Sequence, residues 1–567
     1  MTTTSFDERR QALEARFPTW TPMTLGSFLA TAAAEFGDRP LVITDESTTT
    51  YAEVDAWATR LADGLASIGV RPGDRVGIIM ANYLEFIPLK FAVARVGAVA
   101  IPFNYLYQRD ELAYVLGQSE CNVLVTMTGF GGLDQLAMLD EIAPGWEQSG
   151  GGDVLPHLRQ IVQFSTDGRV RDAVMTIADL DAAGAASPGG ADDSGVSPDD
   201  NGDILYTSGT TGSPKGVMVT HDAMQRTAYS SALTRAFEDG RRVLFSLPCY
   251  HMFGYVEGLL AAMYVGGAII PRTAFSPADY LASIERHRAS DILAVPTMSV
   301  ALVEHPDRST RDLSSCRAIL SGAAPAPVWL WEKMQADLGI DEITTGYGMT
   351  ECGGAMTLTL PEDSMTTHST TVGRTKLAGV AGLDTDDHPI CVYKTIDPMT
   401  GEDLAPGEEG ELASSGPTHM LGYWKKPEET AESLRDGWVC SGDLGRVDER
   451  GYLQLTGRSK ELYKSGGELV MPKEIEELLT QQPGVSQAYA IGVPDDRWGE
   501  VGCVYVVPEE GAELDSEALI EVCRANLARF KRPRHILFIT PAALPTTPTG
   551  KVQKYKLVPM AVEALSS

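Results

Sequence analysis

The chain has 567 residues, 43% of them hydrophobic and 22% charged, and a formal net charge of −31. This length exceeds what one hydrophobic core usually covers, so at least two domains are expected. The acidic balance argues against nucleic acid and anionic membranes as partners, since both attract basic proteins. No transmembrane segment and no apolar signal core are evident, which predicts a cytoplasmic protein.

Segments with helical periodicity alternate with short apolar runs along most of the chain. "YAEVDAWATRLADGLASIG" has a helical pattern, whereas "RVGIIMA" and "ILAVP" are typical of buried strands. The alternation predicts an α/β fold in which parallel-rich sheets are covered by helices. The small, acidic stretch at 183–202, "AGAASPGGADDSGVSPDDNG", predicts a mobile surface loop.

A run of glycines and hydroxyls follows this loop directly. Residues 207–221 read "TSGTTGSPKGVMVTH" and contain a single lysine, Lys215. Glycines let the backbone approach an anion, hydroxyls and amide N–H groups can surround its oxygens, and a lysine adds positive charge. A flexible linker would have no need of the fixed Pro-Lys-Gly step. The run therefore predicts a phosphate-binding loop.

This loop differs from the P-loop of common ATPases and kinases. A P-loop ends in Gly-Lys-Ser/Thr at the start of a helix. Here proline precedes Lys215, Gly216 follows it, and a helix is expected only near Thr220. An ordinary P-loop enzyme is therefore disfavoured.

The next segments are apolar and aromatic. Residues 248–255 read "PCYHMFGY", in which a lone His251 would usually be a satisfied core histidine. The longest apolar stretch, Tyr255–Pro271, carries Glu257 and contains paired glycines at 266–267. This pattern predicts a buried helix followed by a strand in preference to membrane contact.

Later in the chain, short motifs carry residues suited to nucleotide chemistry. They are "SGAAP" at 321–325, "TTGYGMTECGG" at 344–354, "GWVCSGD" at 437–443, "GRSKE" at 457–461 and "LPTTPTGKVQK" at 544–554. Taken singly, each is more typical of a turn or a solvated charge. The eight cysteines show no CxxC pair and no metal-type spacing, which predicts reduced, mostly buried thiols.

After about Arg458 the pattern changes to that of a small α+β domain. "MPKEIEELLTQQ" and "SEALIEVCRANLARF" are predicted helices, and "VSQAYAIGVP" and "EVGCVYVVPE" are predicted strands. Pro472 is expected in the first turn of its helix, where a missing N–H costs little.

The motifs, in this order, resemble those of the adenylate-forming enzymes, and within them the acyl-CoA synthetases. The resemblance covers almost the full chain and includes "LGYWKKPEET" and "GVPDDRWGE". It implies a large N-terminal ATP- and acyl-binding domain at 1–458 and a small mobile domain at 459–567, with a hinge near Lys460. It also implies ATP, Mg²⁺ and CoA as cofactors or substrates.

The resemblance assigns nucleotide contacts to many of these motif residues. They are Thr207, Ser208, Gly209, Thr210, Thr211, Gly212, Lys215, Gly322, Ala323, Ala324, Thr345, Gly346, Tyr347, Gly348, Thr350, Asp443, Arg458, Lys460 and Lys551.

Particular roles follow for the catalytic and pocket residues. The resemblance implies that Thr207 and Glu351 hold Mg²⁺ and act in catalysis together with Lys551. It places Asp443 on the ribose hydroxyls, a role that needs two acceptor oxygens in one side chain. His251, Phe253 and Gly254 are assigned to the acyl pocket.

The chain departs from the usual motifs at a few positions. Thr345 stands where many relatives carry Asn or Gln, which puts that adenine contact in doubt. Glu461 replaces Asp, Ser441 replaces Thr and Lys554 replaces Arg. These three exchanges keep charge or hydroxyl type, so activity is expected to be retained.

The resemblance implies formation of acyl-AMP and pyrophosphate, then attack by CoA with release of AMP. The default substrate is a medium- or long-chain fatty acid or a similar apolar acid, with aryl acids next. Loading of an acyl carrier protein is the alternative, and a homodimer is left open. The basic cluster of Arg529, Lys531, Arg532 and Arg534 is either a site for the nucleotide end of CoA or a solvated face.

Overall fold

A computed structural model gives the structure of the protein. It describes residues 4–192, 195–207, 214–322, 326–385, 388–458, 461–465, 468–495, 498–546 and 552–566. Strands β1 to β28 are, in chain order, Pro40–Ile43, Thr48–Thr50, Arg75–Ile79, Val99–Pro102, Val123–Met127, Gly129–Phe130, Leu133–Asp134, Gln160–Phe164, Asn201–Thr207, Lys215–Thr220, Arg242–Phe245, Ala268–Pro271, Asp291–Ala294, Ala318–Ser321, Glu342–Met349, Gly354–Leu358, Arg374–Thr375, Val392–Ile396, Gly410–Ser415, Gly422–Tyr423, Leu434–Arg435, Trp438–Val447, Leu453–Arg458, Tyr463–Ser465, Glu468–Val470, Val485–Asp495, Gly499–Pro508 and His535–Phe538.

Helices lie between most of these strands. Helices α1 to α19 are Phe6–Arg16, Leu25–Phe36, Tyr51–Ser67, Phe86–Arg95, Arg109–Ser119, Gln135–Ile142, Trp146–Ser149, Ile177–Ala186, His221–Thr234, Met252–Gly254, Ala261–Met263, Pro277–His287, Pro296–Glu304, Val328–Leu338, Met365–Thr370, Pro427–Ser433, Pro472–Thr480, Ser516–Asn526 and Lys554–Ser566. A π-helix, Tyr255–Leu260, joins α10 to α11. None of the described helices is long and apolar enough to cross a membrane.

The chain divides into two compact units. Unit 1 comprises Met1–Val392 and Ser414–Val439, and unit 2 comprises Tyr393–Ala413 and Cys440–Ser567. The two domains expected from the sequence, 1–458 and 459–567, stay a prediction, because Lys460 at their hinge lies outside the described residues.

Two large sheets form the centre of unit 1. One has nine strands in the order β17-β16-β15-β14-β13-β11-β12-β1-β2, and the other has seven in the order β20-β10-β9-β4-β3-β5-β8. The strands from β15 through β12 to β1 pair in parallel, as do β9, β4, β3, β5 and β8. Parallel sheets need crossover connections, which the helices supply. The α/β prediction is confirmed.

Local sequence signals account for the helix starts around these sheets. Thr50 caps α3, accepting from the N–H of Glu53, whose side chain completes a capping box. Thr220 caps α9 and accepts from the N–H of Ala223. The predicted helix start near Thr220 is therefore confirmed.

Other predicted elements are confirmed with small differences. The apolar stretch at 255–271 is a buried helical segment followed by β12, although its first part is a π-helix. Residues 183–186 of the predicted loop belong to α8, and Asn201 already starts β9. None of the eight cysteines, all of which are among the described residues, forms a disulfide, and all except Cys440 are buried.

Unit 2 contains a sheet with β25, β24, β27 and β26 in that order, and β28 pairs with β27. Helices α17 and α18 pack on one side of this sheet around Ile475, Leu479, Leu519 and Cys523. Pro472 is at the start of α17, as predicted. Unit 2 also contains an antiparallel pairing of residues 443–447 of β22 with β23.

The buried side chain of His221 is expected to make the folding stability of unit 1 depend on pH. Burial, with a smaller contribution from Lys90, lowers the pKa of His221 to about 4, and its Nδ1 lies 3.4 Å from the N–H of Leu25. An unfolded histidine has a pKa of about 6.5, so between these values the unfolded chain binds more protons. The contribution of neutral His221 to the free energy of unfolding is therefore fully present above pH 6.5 and is lost as the pH falls towards 4. At pH 5 the loss is about 2 kcal/mol.

Urea unfolding at pH 7 and pH 5 measures this effect. His221→Asn keeps an acceptor but does not titrate, so its free energy of unfolding should fall less between the two pH values than that of the wild type, by about 2 kcal/mol. An equal pH dependence of the two proteins would show that His221 does not titrate in this range.

Candidate active site

The hairpin of β9 and β10 holds the first predicted site residues. In its antiparallel register Lys215 faces Thr207, so the two residues flank the loop between the strands. Thr207 is half-buried and Lys215 is 8% exposed. The sequence therefore places a hydroxyl and an ammonium at the two ends of one glycine-rich loop.

Some predicted site residues fall outside the described residues. They are Ser208, Gly209, Thr210, Thr211, Gly212, Ala323, Ala324, Lys460 and Lys551. Their assigned roles stay predictions.

A second hairpin, β15 and β16, carries Glu351 in the tight turn between its strands. Residues Thr350–Cys352 form one 3-10 turn, which ends at Gly353 with a φ of 89°. A side chain at position 353 would meet the carbonyl oxygen of Thr418 at 2.6 Å, so glycine is required by both conformation and space. Glu351 is 9% exposed, and its carbonyl accepts the N–H of Met420 at 2.9 Å.

Tyr423 connects the two hairpins. Its hydroxyl donates to Oε1 of Glu351 at 2.9 Å, and the Nζ of Lys215 lies 4.8 Å from the centroid of its ring. Burial and the neighbouring carboxylate of Glu351 raise the pKa of Tyr423 well above its usual value. The predicted loop lysine and the predicted magnesium carboxylate therefore contact the same tyrosine, although 136 positions separate them in the sequence.

Tyr423 has no role among the sequence-based predictions. The segment "LGYWKKPEET" at 421–430 was recognised only as part of the resemblance. The Gly-Tyr pair in this segment is the feature that could have indicated a role for Tyr423. These two residues form β20, which pairs with β10 beside Lys215.

The glycines around Tyr347 are explained by the hairpin itself. A side chain at Gly348 would lie 2.0 Å from the carbonyl oxygen of Gly354, and one at Gly346 would meet Leu358 at 2.4 Å. Gly346 and Gly348 therefore allow close strand pairing, whatever else they contact. Tyr347 between them is half-buried.

Thr345 directs its hydroxyl to the protein. It is 9% exposed, and its Oγ1 donates to the carbonyl of His368 at 3.1 Å, while its N–H donates to Oγ1 of Thr359 at 2.8 Å. The doubt raised by Thr345 about an adenine contact through this side chain therefore has a structural basis.

The predicted pocket residues lie directly before the π-helix, with Phe253 and Gly254 in α10. The ring of Phe253 lies against Gly322, where an added Cβ would be 3.0 Å from it. A side chain at Gly254 would meet the carbonyl oxygen of Leu247 at 2.4 Å, so this glycine permits a close backbone packing. His251 is exposed and caps α10, its Nδ1 accepting from the N–H of Phe253 at 3.2 Å.

Asp443 and Arg458 form an ion pair within unit 2. They face each other across β22 and β23, and the Nε of Arg458 lies 2.8 Å from Oδ1 of Asp443. The N–H of Asp443 donates to Oγ of Ser441 at 3.0 Å, and this hydroxyl donates to the carbonyl of Leu412 at 2.7 Å. Ser441 thus fills the hydroxyl role expected at the position where Thr is common.

Lys554 lies between two carboxylates in unit 2. Its Nζ is 2.6 Å from Glu461 and 2.7 Å from Glu476. Burial alone would lower the pKa of Lys554, but Glu476 and Glu461 outweigh it, so its pKa lies above the usual value. The exchanges at 461 and 554 therefore preserve a complementary ion pair.

Half of the basic cluster near the end of α18 is neutralised within unit 2. Lys531 pairs with Glu474 at 2.6 Å, and Arg534 pairs with Asp495 at 2.8 Å. These pairs weaken the case for the cluster as an anion site, although Arg529 is exposed.

The donor set around Glu351 fits Mg²⁺ better than a transition metal. Among the described residues, no group of three or more His, Cys, Asp and Glu side chains is arranged as a metal cage. Mg²⁺ is usually bound by one or two carboxylates together with substrate phosphates and water. One buried carboxylate beside a phosphate-type loop meets that requirement.

Comparison with known proteins gives a consistent result over most of the chain. The family model described as AMP-binding enzyme matches residues 29–424, and that of the AMP-binding enzyme C-terminal domain matches residues 474–551. A 7a-methyl-1,5-dioxo-octahydro-1H-inden-4-yl propanoyl:CoA ligase of Mycobacterium tuberculosis is 35% identical, over 94% of this chain and 98% of the relative.

Further similarities extend to another ligase and to a solved structure. A feruloyl-CoA synthase of Amycolatopsis is 35% identical over 89% of this chain and 92% of the relative. The crystal structure of ATP-bound MatB from Rhodopseudomonas palustris has a TM-score of 0.79 and 28% identity, over 95% of this chain and 99% of that one.

Proposed function

The chain belongs to the AMP-binding enzyme family, in its acyl-CoA synthetase branch, as an AMP-forming carboxylic acid–CoA ligase, and we propose that its substrate is an apolar monocarboxylic acid. Under this proposal the acid has a medium or long aliphatic chain or a ring system of similar size. The observation that carries the chemistry is the contact of Lys215 and Glu351 with one tyrosine, beside the phosphate-type loop.

The reaction class sets the task of the site. A free carboxylate does not acylate a thiol, because oxide would have to leave. Attack of the carboxylate oxygen on the α-phosphorus of ATP forms a C–O–P link and expels pyrophosphate. The thiol sulfur of CoA then attacks the acyl carbon, the acyl–oxygen bond breaks, and AMP leaves while the thiol proton passes to solvent.

Charge neutralisation is the main requirement of the first step. The acid and the phosphates are negative, and they approach one another in a chain of net charge −31. Lys215 supplies a fixed positive charge at the end of the loop, and it is buried enough to act with little solvent screening. We assign Lys551 the contact between the carboxylate and the α-phosphate. The division into domains 1–458 and 459–567, with a hinge near Lys460, is part of this proposal.

Glu351 and Thr207 are the residues proposed to hold Mg²⁺. When bound, the ion would withdraw charge from the phosphate oxygens and orient the leaving pyrophosphate. Asp443 would accept the ribose hydroxyls, with Arg458 holding its carboxylate in place at 2.8 Å.

Several observations support an apolar acid. The residues preceding and following His251 are aromatic or apolar, and Tyr250 packs edge-on against Tyr105 at 5.4 Å. The two relatives described above are named for a fused-ring propanoyl group and for a feruloyl group, and two others are named a medium-chain acyl-CoA ligase and a long-chain-fatty-acid–CoA ligase. No arginine occurs in the segment 248–255 to pair with a second carboxylate.

A screen of acids tests the substrate class. Purified protein with ATP, Mg²⁺ and CoA is offered butanoate, octanoate, hexadecanoate, a hydroxycinnamate, a fused-ring propanoate and succinate. Pyrophosphate release is measured, and products are identified by mass spectrometry. Each buried methylene contributes about 0.8 kcal/mol, so octanoate should exceed butanoate in kcat/KM by roughly two orders of magnitude.

The screen also separates the alternatives. Preference for succinate would contradict the apolar assignment. Accumulation of acyl-AMP that a carrier protein accepts faster than CoA would favour carrier-protein loading.

A further inference from the structure

Tyr423 lies between two charged side chains that come from different hairpins. Its hydroxyl contacts Glu351 and its ring contacts Lys215, and the tyrosine is 6% exposed. We infer that Tyr423 is a positioning residue that sets both the metal-binding carboxylate and the phosphate-binding ammonium. This inference rests on the proposed function, in which Glu351 holds Mg²⁺ and Lys215 contacts phosphate.

The strand register explains why the ring reaches Lys215. Tyr423 pairs directly with Val217, and Lys215 lies two residues before Val217 on the same face of β10. Diagonal neighbours across a strand pair are within reach of aromatic and long side chains. Tyr423 and Lys215 are such a diagonal pair, so the contact is built into the sheet.

The backbone of Tyr423 is held on both sides. Trp424 donates its N–H to the carbonyl of Gly216 at 2.7 Å, and the N–H of Tyr423 donates to Oγ1 of Thr430 at 2.9 Å. The preceding Gly422 has a φ of 139°, and a side chain there would meet Thr430 at 2.8 Å. The ring therefore has little freedom to move away from its two partners.

The hydroxyl acts on the carboxylate of Glu351. The last torsion of a glutamate is broad, so a donor at one oxygen is needed to fix the plane of the carboxylate. Tyr423 supplies that donor at 2.9 Å, and it also offsets part of the cost of burying the charge. A carboxylate fixed in this way can bind a metal ion without first being ordered.

The ring acts on the ammonium of Lys215. A lysine has a flexible stem with several rotatable bonds, and a cation over an aromatic face is stabilised by the ring quadrupole. Donation from the hydroxyl to a carboxylate enriches the ring in electrons, so the two contacts reinforce each other. Tyr423 therefore couples the carboxylate to the ammonium.

Two variants separate the contributions of the hydroxyl and the ring. Tyr423→Phe removes the hydroxyl and keeps the ring, whereas Tyr423→Leu removes both. The binding of α,β-methylene-ATP is measured by calorimetry with Mg²⁺ and with EDTA. Acid-dependent pyrophosphate exchange is followed against Mg²⁺ concentration.

Tyr423→Phe should raise the Mg²⁺ concentration for half-maximal exchange about tenfold, the effect of one hydrogen bond to a charged group. Its nucleotide affinity in EDTA should stay within about twofold of the wild type. Tyr423→Leu should in addition weaken binding in EDTA by about two- to fivefold, because the contact with Lys215 is lost. If Tyr423 served only folding, its substitution would weaken nucleotide binding equally with Mg²⁺ and with EDTA.

Ser433→Ala is the matched control. The hydroxyl of Tyr423 also lies 3.4 Å from Oγ of Ser433, and the loss of this serine hydroxyl should leave the Mg²⁺ dependence unchanged. Melting temperatures identify any variant that fails to fold, and Tyr423→Phe, which preserves the buried ring, keeps the test decisive.

The outcomes distinguish this inference from the proposed function. Unchanged Mg²⁺ dependence in Tyr423→Phe, with normal exchange in the wild type, would overturn the positioning role alone. Equal losses of nucleotide affinity in Tyr423→Phe with Mg²⁺ and with EDTA would also overturn the positioning role. Absence of Mg²⁺-dependent nucleotide binding in the wild type would overturn the proposed function and, with it, this inference.

Discussion

Glu351→Gln is expected to lower acid-dependent pyrophosphate exchange by about two to three orders of magnitude. The amide keeps the shape of the side chain and still accepts from Tyr423, but it removes the negative charge that is proposed to bind Mg²⁺. Loss of one preorganised electrostatic contact typically costs roughly 2.7 to 4 kcal/mol in the transition state. The rate is measured by exchange of labelled pyrophosphate into ATP at saturating acid, over a range of Mg²⁺ concentrations.

Glu332→Gln is the control for this variant. Glu332 lies exposed on α14, so the same change of charge there should leave the exchange rate unaltered. Exchange at the wild-type rate in Glu351→Gln would show that Glu351 is not the magnesium carboxylate. If the hydroxyl of Tyr423 acts through Glu351, adding Tyr423→Phe to Glu351→Gln should cause little further loss, since effects within one unit are not additive.

Lys551→Ala is expected to separate the two half-reactions. Under the proposed function, Lys551 contacts the acid and the α-phosphate during adenylation and is not needed when CoA attacks the finished acyl-AMP. Adenylation should fall by about a hundred- to a thousandfold, whereas thioester formation from supplied acyl-AMP should stay within about threefold of the wild type. Pyrophosphate exchange reports the first half-reaction, and acyl-CoA formation from synthetic acyl-AMP reports the second.

Lys556→Ala provides the comparison for Lys551→Ala. Lys556 lies exposed on α19, five positions further along the chain, where its ammonium is 5.8 Å from the ring of Tyr555. Its loss should affect neither half-reaction. Equal reductions of both half-reactions in Lys551→Ala would contradict the assigned division of roles.

The sequence was most informative where a local pattern has one physical interpretation. The helix start near Thr220, the apolar runs of β3 and β13, and Pro472 at the start of α17 were all predicted from the sequence and are confirmed. Each depends on contacts within a few residues, which a single sequence contains. The π-helix at Tyr255–Leu260 was not predicted, because its hydrogen-bond register cannot be distinguished from an α-helix by apolar periodicity.

For the motif residues, the sequence indicated which side chains could act on a nucleotide but not which other side chains they contact. Lys215 was predicted as a phosphate contact from the residue types around it, whereas Glu351 received its predicted role from the resemblance to the adenylate-forming enzymes. Their common contact, Tyr423, was missed, because the pairing of β20 with β10 joins residues about 200 positions apart. Thr345 was flagged as a departure, but only the contact with His368 explains where its hydroxyl is directed.

The sequence by itself determined the α/β class and the order of the motifs, and it predicts the chemistry of the phosphate-type loop. These depend on residue identity, short-range periodicity and the conformational needs of glycine and proline. Only the tertiary structure decided which charges meet, because strand register and side-chain burial arise from contacts between distant segments. The bridge from Lys215 through Tyr423 to Glu351 is a result of that register, as is the pairing of Asp443 with Arg458.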